Sequence, residues 1–392
     1  MVKGKLYLFN PDHDLALANR DANYMAPASA RGLAADLALL PMWYAGLRDY
    51  VLASSRYNLS FLEEAKKLFP DLASLATESE ISFAHLQPLP WGWDPAVRNK
   101  LLKLGVASEM LPDDGRLDII REHSNRLLAV KLLPRLATDE YFCGESHYFV
   151  QKDDIRNFVE QHTASVLKAP FSGSGKGLNW CKGRFTFHID HWCEHVLRQQ
   201  GGVVGEPIYN KAMDFSMQFY CDGGSVKFCG YSLFHTNASG AYEGNSLATD
   251  SLIEQQLSKF VFADLLKDVQ AKLEKELLFY LKDAYTGYLG VDMMLCKFSE
   301  PPYYRIHPCV EINLRMTMGM VARTFYDRYV QQETVGIYRV GHFRSPGELQ
   351  ANHRNLSGRH PLCVEEGRIV KGYLSLVPVT PHARYAAWVV IG

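Results

Sequence analysis

One stretch of the chain carries most of the information about its fold: Val166-Leu167-Lys168-Ala169-Pro170-Phe171-Ser172-Gly173-Ser174-Gly175-Lys176-Gly177. The last six of these residues are three glycines, two serines and one lysine. Glycine tolerates positive φ, so successive backbone N–H groups can converge on an anion. The preceding residues, 164–170, have the apolar pattern of a short strand that contains Lys168. We therefore predict a phosphate-binding loop behind a strand that carries a lysine.

Three phosphate-binding motifs can be compared with this loop. The P-loop pattern fails at two positions, because Pro170 and Gly177 stand where it needs glycine and serine or threonine. The dinucleotide-binding pattern Gly-x-Gly-x-x-Gly fails at one position, where Leu178 stands. A glycine-rich flap that follows a strand lysine fits. The alternative is a surface β-turn in which Lys168 extends its ammonium group into water.

A second pattern lies in residues 308–316, Pro-Cys-Val-Glu-Ile-Asn-Leu-Arg-Met. Alternate residues of a strand share a face. One face carries Glu311, Asn313 and Arg315, and the other carries Val310, Ile312 and Leu314. Asparagine is disfavoured in strands, which indicates that Asn313 has a function. The alternative is an ordinary amphipathic strand whose charged residues pair with neighbours in the sheet.

The strand before it, residues 289–296, ends in a turn at residues 299–303, so the two strands are predicted to form a hairpin. A hairpin centred near residue 301 sets Asp292 opposite residue 310 or 311. Cross-strand side chains lie about 5 Å apart, so two carboxylates there repel unless a cation lies between them. Oxygen ligands suit Mg²⁺ or Mn²⁺ better than zinc. A bridging Glu311 would hold two ions about 3.5–4 Å apart.

Together, these patterns resemble the ATP-grasp superfamily over roughly residues 120–345, and the chain is similar to its carboxylate–amine ligases. The matching parts are the strand lysine with its flap, the Gly290-Val291-Asp292 strand and Glu311-x-Asn313-x-Arg315. The resemblance implies an α/β (α+β) fold class: an ATP-grasp fold of two α+β lobes, preceded by an N-terminal α/β Rossmann-like domain.

The resemblance also implies roles for individual residues. Lys168 contacts the α- and β-phosphates, and the flap, residues 172–177, closes over the β- and γ-phosphates. The metal ligands implied are Asp292, Glu311 and Asn313. Arg315 stabilises negative charge on the transferring group or on the tetrahedral intermediate. The flap residues implied in nucleotide binding are Ser172, Gly173, Ser174, Gly175, Lys176 and Gly177.

The resemblance assigns the remaining nucleotide contacts to two further regions. The adenine-binding hinge is expected at residues 203–208, with Val204, Glu206 and Ile208 as contacts and Glu206 as the hinge or ribose acid. Asp214 matches an acidic position that often follows. Where the family often has an Asp-Lys pair, this chain reads Asn125-Arg126. Arg126 is expected to replace the lysine on the phosphates.

We predict four parts of the chain, with the first boundary at a turn cluster and the two lobes as the resemblance implies. They are 1–118, the N-terminal α/β domain; 119–202, the small lobe with the flap; 203–345, the large lobe with the metal site; and 346–392, a β-rich segment that packs on the large lobe. Residues 116–136 are predicted to be helical, and residues 185–200 to hold a short strand and a helix. A substrate amine could bind to Asp12, His13 and Asp14. Alternatively, Asp14 could cap a helix that begins at Leu15.

The composition of the chain limits the classes of protein to which it can belong. The chain has 392 residues, 47% apolar and 22% charged, as a globular protein has. Its 42 Lys and Arg against 43 Asp and Glu leave a net charge of −1, so there is no global positive field for nucleic acid or an anionic membrane. The apolar run Leu6 to Phe9 is shorter than the roughly 7–15 residues of a secretory signal. The eight cysteines contain no CxxC pair, which predicts reduced thiols and a cytoplasmic protein.

The resemblance implies an ADP-forming ligase that uses ATP and two Mg²⁺ or Mn²⁺ ions. It would activate a small-molecule or peptide carboxylate as an acyl phosphate, which an amine or a thiol then attacks. The expected partners are these small-molecule substrates, with no nucleic acid and no membrane, and a homodimer is compatible with the resemblance. Two alternatives stay open: a phosphotransferase that stops at the phosphorylated product, and a non-catalytic ATP-binding regulatory protein.

Overall fold

The structure of the protein is a computed structural model that describes residues 4–53, 55–76, 82–173, 177–237 and 240–392. The strands in these ranges form sheets of four, four and nine strands. Each sheet is built from one continuous part of the chain, so the candidate functional residues reach one another where these parts meet.

The first sheet is parallel, with the strand order β3-β2-β1-β4. The chain reverses its direction of winding between β1 and β4, so the loops that follow these two strands flank a crevice at the carboxyl ends of the strands. The strands are β1 (Gly4–Leu8), β2 (Tyr50–Val51), β3 (Ser74–Leu75) and β4 (Leu86–Pro90). The helices are α1 (His13–Asn19), α2 (Ala28–Asp36), α3 (Arg56–Leu68) and α4 (Pro95–Lys103). Short 3₁₀ helices span Leu40–Trp43, Phe83–His85 and Ser108–Met110.

The helical region predicted at residues 116–136 consists of two helices, α5 (Asp114–Ser124) and α6 (Leu127–Leu136). Asn125 interrupts them because its backbone is extended, with a ψ of 136°. Its side-chain Oδ1 accepts a 2.9 Å hydrogen bond from the backbone N–H of Leu127, which starts the second helix. The interruption turns Arg126 inward, where its backbone N–H donates to the carbonyl of Pro170 at 3.2 Å.

The second sheet is antiparallel, with the strand order β5-β8-β6-β7. Its strands are β5 (His147–Phe149), β6 (Ser165–Lys168), β7 (Leu178–Cys181) and β8 (Val203–Pro207), and its helices are α7 (Lys152–Gln161) and α8 (Phe187–Gln200). The prediction of a short strand at the start of residues 185–200 is wrong. The Thr186 side chain caps α8 by accepting from the backbone N–H of Ile189, so the helix begins at Phe187 and leaves no room for a strand in residues 185–200.

The third sheet has nine antiparallel strands in the order β13-β12-β9-β10-β11-β14-β17-β16-β15. The predicted hairpin is confirmed, and Asp292 of β12 lies opposite Glu311 of β13. The first strands are β9 (Lys211–Cys221), β10 (Val226–Thr236), β11 (Tyr242–Leu247), β12 (Gly287–Lys297) and β13 (Tyr304–Asn313). The remaining strands are β14 (Gly336–His342), β15 (Cys363–Glu365), β16 (Arg368–Ser375) and β17 (Tyr385–Ile391). Its helices are α9 (Asp250–Leu257), α10 (Ala263–Leu281), α11 (Met318–Tyr329) and α12 (Pro346–Arg359).

Helix α12 lies in the C-terminal segment that was predicted to be mainly β. It begins with two ordinary start signals, because the Ser345 side chain caps the backbone N–H of Glu348 at 3.2 Å and Pro346 occupies the first turn. The strands around it continue the nine-stranded sheet. The four-part division of the chain stays a prediction.

The N-terminal part packs directly on the nine-stranded sheet. The Trp43 ring meets Phe325 and Tyr329 edge-on, with ring centroids 5.3 Å apart in both cases. Its indole N–H donates to the carbonyl of Leu376 at 2.7 Å. This packing holds the β1–β4 crevice against the end of the β12–β13 hairpin, since the backbone N–H of Met316 donates to the carbonyl of Trp91 at 2.8 Å. No described helix is long and apolar enough to cross a bilayer.

Candidate functional site

The predicted metal ligands lie together at one end of the β12–β13 hairpin. Asp292 is directly opposite Glu311, and Gly290 is opposite Asn313. The side-chain amide of Asn313 donates a 3.0 Å hydrogen bond to Oδ2 of Asp292. Because cross-strand neighbours are about 5 Å apart, the two carboxylates repel each other when both are ionised. Two carboxylates and one amide therefore share a small region of one sheet face.

The electrostatics of this region raise the pKa of Asp292 to about 7. Burial is the main cause, because it disfavours the charged carboxylate, and the negative charge of Glu311 adds to it. The positive charge of Arg315 and the hydrogen bond from Asn313 oppose the rise without cancelling it. Asp292 thus holds its proton up to about neutral pH when no cation is bound.

This raised pKa predicts a pH-dependent stability. Asp292 ionises near pH 3.9 in an unfolded chain but near pH 7 in the fold. Between these values the folded state binds more protons, so its stability falls as the pH rises, by at most about 1.4 kcal/mol per pH unit. The gain in stability of Asp292→Asn over the wild type should therefore be larger at about pH 8 than at about pH 5. Urea unfolding without divalent cations measures this, and an equal difference at both pH values would contradict the pKa assignment.

Arg315 connects the hairpin to the N-terminal crevice. Its Nε and Nη2 donate to Oδ2 of Asp14 at 3.2 and 3.0 Å, and Nη2 also donates to Oδ1 of Asn313 at 2.9 Å. Burial acts against ionised Asp14, yet the positive charge of Arg315, together with further positive charges that include Arg126, outweighs it and lowers the pKa of the carboxyl group. The capping interpretation of Asp14 is wrong: helix α1 begins at His13, so Asp14 lies inside it, and its carboxylate is bound to Arg315.

Arg126 bridges two parts of the candidate site. Its Nη2 donates to Oε1 of Glu311 at 2.7 Å and to the carbonyl of Ser172 at 3.0 Å. Its Nη1 donates to Oγ of Ser172 at 2.7 Å and to the carbonyl of Ala169. The residue is only 6% exposed. One guanidinium group thus joins the start of the glycine loop to the strand with the candidate metal ligands.

Lys168 forms a buried ion pair with Glu206. Strands β6 and β8 are neighbours, and the Lys168 Nζ lies 2.5 Å from the Glu206 Oε2. The two side chains are 9% and 6% exposed. The other carboxylate oxygen of Glu206 accepts a 3.1 Å hydrogen bond from the Ser146 hydroxyl. The strand lysine and the predicted hinge acid are therefore direct partners.

The glycine loop is described at its two ends. A Cβ atom on Gly173 would lie 2.6 Å from Oδ2 of Asp14, so only glycine lets the loop approach the N-terminal crevice this closely. At the other end, Gly177 has a φ of 73° and its carbonyl accepts from the backbone N–H of Ala169 at 2.9 Å. The flap residues outside the described part are Ser174, Gly175 and Lys176.

The predicted hinge residues differ in exposure. Val204 is buried in β8, whereas Ile208, just after the strand, is 43% exposed. Asp214 lies on β9, beside β12, and accepts hydrogen bonds from Lys211 and from the hydroxyl of Thr236. Its negative charge also contributes to the raised pKa of Asp292, which indicates that Asp214 is near the hairpin ligands.

The Lys168–Glu206 ion pair and the candidate metal ligands of the β12–β13 hairpin belong to one cluster. Cys309, on β13, is buried, which raises the pKa of its thiol, and negative charges that include Glu206 and Asp292 raise it further. One side chain is therefore within electrostatic range of both groups. Since Arg126 also joins Glu311 to the residue after Lys168, the structure brings the predicted phosphate and metal residues together.

His307 is a candidate that the sequence analysis did not identify. It is fully buried on β13, and burial lowers its pKa to about 4. Neither ring nitrogen has a hydrogen-bond partner among the described residues. The charges of Glu206 and Lys168 both act on it, so it lies beside the predicted hinge. Its position four residues before Glu311, in a strand already assigned to the site, was the available signal.

No family profile matches the chain, and a comparison with curated proteins gives no significant sequence match. Solved structures do match. The biotin carboxylase β,γ-ATP complex from Campylobacter jejuni has a TM-score of 0.51 at 11% identity, over 99% of this chain and 87% of that one. N5-carboxyaminoimidazole synthetase from Staphylococcus aureus has a TM-score of 0.46 at 9% identity, over 99% and 93%. D-alanyl-alanine synthetase A from Vibrio cholerae has a TM-score of 0.41 at 11% identity, over 83% and 94%.

The likeness to biotin carboxylase is a likeness of fold. It extends over nearly the whole chain and confirms the predicted α/β fold class. The chain has the ATP-grasp fold, with an N-terminal α/β part on a parallel sheet and with antiparallel sheets in the remainder.

Proposed function

We propose that this ATP-grasp chain is an ATP-dependent, Mg²⁺-requiring ligase. In this proposal it activates the carboxylate of a small molecule or a peptide as an acyl phosphate, which an amine then attacks. The main support is the bridge formed by Arg126, which binds the start of the glycine loop and Glu311 with one guanidinium group. Phosphoryl transfer requires positive charge and divalent cations around the same phosphates, and this bridge brings their candidate ligands together.

The hairpin ligands fit a hard divalent cation. Carboxylate and amide oxygens prefer Mg²⁺ or Mn²⁺, and the repulsion that raises the pKa of Asp292 is what a bound cation would relieve. No three His, Cys, Asp or Glu side chains of the described residues form a metal-binding group. The proposed ligands are Asp292, Glu311 and Asn313. One or two ions held there would neutralise charge on the phosphates.

The protein's own cations surround the proposed phosphate position. Lys168 would exchange its partner Glu206 for the α- and β-phosphates when the nucleotide binds. Arg126 and the loop that begins at Ser172 would hold the β- and γ-phosphates. Closure of this loop would exclude water, which matters because an exposed acyl phosphate hydrolyses.

The adenosine is assigned to the segment that joins the two ATP-grasp lobes. Val204, Glu206 and Ile208 would contact the base and the ribose, and Asp214 would complete the acidic end of this subsite. Glu206 would then have a role both without and with ATP. It would pair with Lys168 before ATP binds and act as the hinge acid afterwards.

The proposed reaction has two steps. A substrate carboxylate oxygen attacks the γ-phosphorus, the bond from phosphorus to the β–γ bridging oxygen breaks, and ADP leaves with that electron pair. The amine nitrogen then attacks the acyl carbon, the bond from carbon to the phosphate oxygen breaks, and inorganic phosphate leaves while the amine loses a proton to solvent. Arg315 would stabilise the negative charge that develops in both steps. A thiol acceptor would follow the same course.

Asp14 is expected to act as a positioning residue for Arg315. In Asp14→Asn the guanidinium loses its charged partner and is held only by its hydrogen bonds to Asn313 and to the carbonyl of Met316. The kcat should therefore fall about 10- to 100-fold, as for supporting residues of metal sites. The KM for ATP should change less than kcat, because asparagine keeps the size of the side chain against which Gly173 of the flap lies. Steady-state kinetics of ADP release measure both constants.

Asp21→Asn is the matched control, because Asp21 is exposed just after helix α1 and makes no described contact with Arg315. The control should retain its kcat within about threefold, the range of an ordinary surface change. Equal losses in both variants would mean that Asp14 has no special relation to Arg315.

A coupled ADP-release assay across carboxylates, with and without amine acceptors, tests the proposed function. ADP that requires both an acid and an amine is the expected result. ADP release with a stable phosphorylated product would instead identify a phosphotransferase, and tight ATP binding without turnover would identify a regulatory protein.

A further inference from the structure

A pocket outside the proposed ATP site lies between helices α1, α4 and α5. Its volume is about 410 Å³, which is within the range of about 300–1,000 Å³ that is usual for small-molecule sites. The lining residues are Leu17, Arg20, Ala22, Pro95, Arg98, Asn99, Leu102, Asp114, Leu117, Asp118 and Arg121. We call it the three-helix pocket. None of its lining residues is a proposed ligand of ATP or metal.

Arg121 presents free donors to this pocket. Its Nε donates to the carbonyl of Leu17 at 2.7 Å, and its guanidinium lies 4.5 Å from the centre of the Phe171 ring. Among the described residues its two Nη groups have no hydrogen-bond partner. Burial lowers the pKa of Arg121, and the positive charge of Arg20 lowers it further. The guanidinium groups of Arg20 and Arg121 therefore repel each other, and the charge of Asp118 offsets part of this repulsion. An anion bound to Arg121 would reduce it further.

Arg98 supplies a second guanidinium group that has a nitrogen without a hydrogen-bond partner among the described residues. Its Nε is buried and has no partner within the described ranges. Its Nη1 pairs with Asp114, and Arg20 pairs with Asp118. These two acids are 89% and 67% exposed, and ion pairs so exposed are worth only about 0–1 kcal/mol. Water or a bound anion can replace them at low cost.

The remainder of the lining is apolar. Leu17 and Leu117 are buried beneath the pocket, while Leu102 is 40% exposed beside it. Three arginines against two aspartates leave an excess of one positive charge over this apolar base. We propose that the three-helix pocket binds a small organic anion, a carboxylate or phosphate group on an apolar body. The anionic group lies between Arg98 and Arg121, and the apolar body rests on the leucines.

Isothermal titration with phenyl phosphate, benzoate and inorganic phosphate tests this assignment. Phenyl phosphate and benzoate should each bind saturably, at least about tenfold more tightly than inorganic phosphate, because burying a ring contributes more than 1.4 kcal/mol. Arg98→Gln and Arg121→Gln, on two different helices, should each weaken binding of the aryl probes about tenfold or more, since each removes a charge-assisted contact. Leu102→Trp, which adds bulk to the apolar part of the lining and leaves all three arginines in place, should also weaken it.

Arg116→Gln is the matched control, because Arg116 is an exposed residue of α5 outside the pocket, and it should bind the aryl probes as the wild type does. Circular dichroism establishes that each variant is folded. Saturating Mg²⁺ and a non-hydrolysable ATP analogue should leave aryl-probe binding unchanged, whether or not the chain proves to be a ligase. Any of four results would overturn the proposal: no saturable binding, equal affinity for inorganic phosphate, wild-type affinity in both arginine variants and Leu102→Trp, or displacement by the ATP analogue.

Discussion

Glu311→Gln should reduce Mg²⁺-dependent ATP turnover at least about 100-fold, the size of effect seen when one charged group that stabilises a transition state is removed. Glutamine retains the volume of the side chain but removes the charge that a cation and Arg126 both require. Its neighbour Asp292 should then ionise more easily, since the Glu311 charge is a cause of its raised pKa. This relief is opposed by the loss of the charged partner of buried Arg126. Circular dichroism and urea unfolding therefore establish that the variant is folded under the assay conditions before the loss is assigned to activity.

The measurement is ADP release at a series of Mg²⁺ concentrations, together with direct titration of Mg²⁺. Glu300→Gln is the control, because Glu300 lies exposed in the turn of the same hairpin. The control should keep full turnover. Retained turnover in Glu311→Gln would mean that the metal assignment is wrong, whatever the reaction is.

The second large effect concerns the Lys168–Glu206 pair. Removing either partner alone, as Lys168→Met or Glu206→Met, should lower the free energy of unfolding by about 3–5 kcal/mol, because it leaves a buried charge without its partner. The double variant should regain most of this stability, because both charges then leave the interior together. It should nevertheless fail to bind ATP, because the proposed phosphate lysine is missing.

Urea unfolding of the wild type, the two single variants and the double variant forms a double-mutant cycle, and binding of a fluorescent ATP analogue is measured on the same proteins. The control is Glu64→Met, because Glu64 forms an ion pair with Lys67 of similar length, 2.6 Å, that is about two-thirds exposed. Its effect should stay within about 1 kcal/mol. Additive losses in the double variant would show that the two side chains are not coupled, and ATP binding by that variant would remove Lys168 from the nucleotide site.

Local sequence patterns predicted the strand that carries Lys168 and the β12–β13 hairpin, with the register of the hairpin to within one residue. Such features depend on residues close together in the chain: alternation assigns a face to each side chain, and turn residues set the pairing. The same local reasoning failed where one residue changed the backbone. Asn125 divides one predicted helix into α5 and α6, and the Thr186 cap starts α8 at Phe187, where a short strand was predicted. Helix α12 was missed although Ser345 and Pro346 are ordinary start signals.

The partners of the candidate site residues depend on distant parts of the chain. Arg126 meets a residue 185 positions away, and Arg315 meets one 301 positions away. The sequence by itself determined which side chains carry the chemistry: the strand lysine, the glycine loop and the acidic face of the hairpin. Only the tertiary structure decided that Glu206 neutralises Lys168, that Asp14 binds Arg315 and that Arg126 joins the loop to Glu311. The physical reason is that hydrogen bonding and burial act through space, and the packing of whole sheets and helices brings these groups within reach of one another.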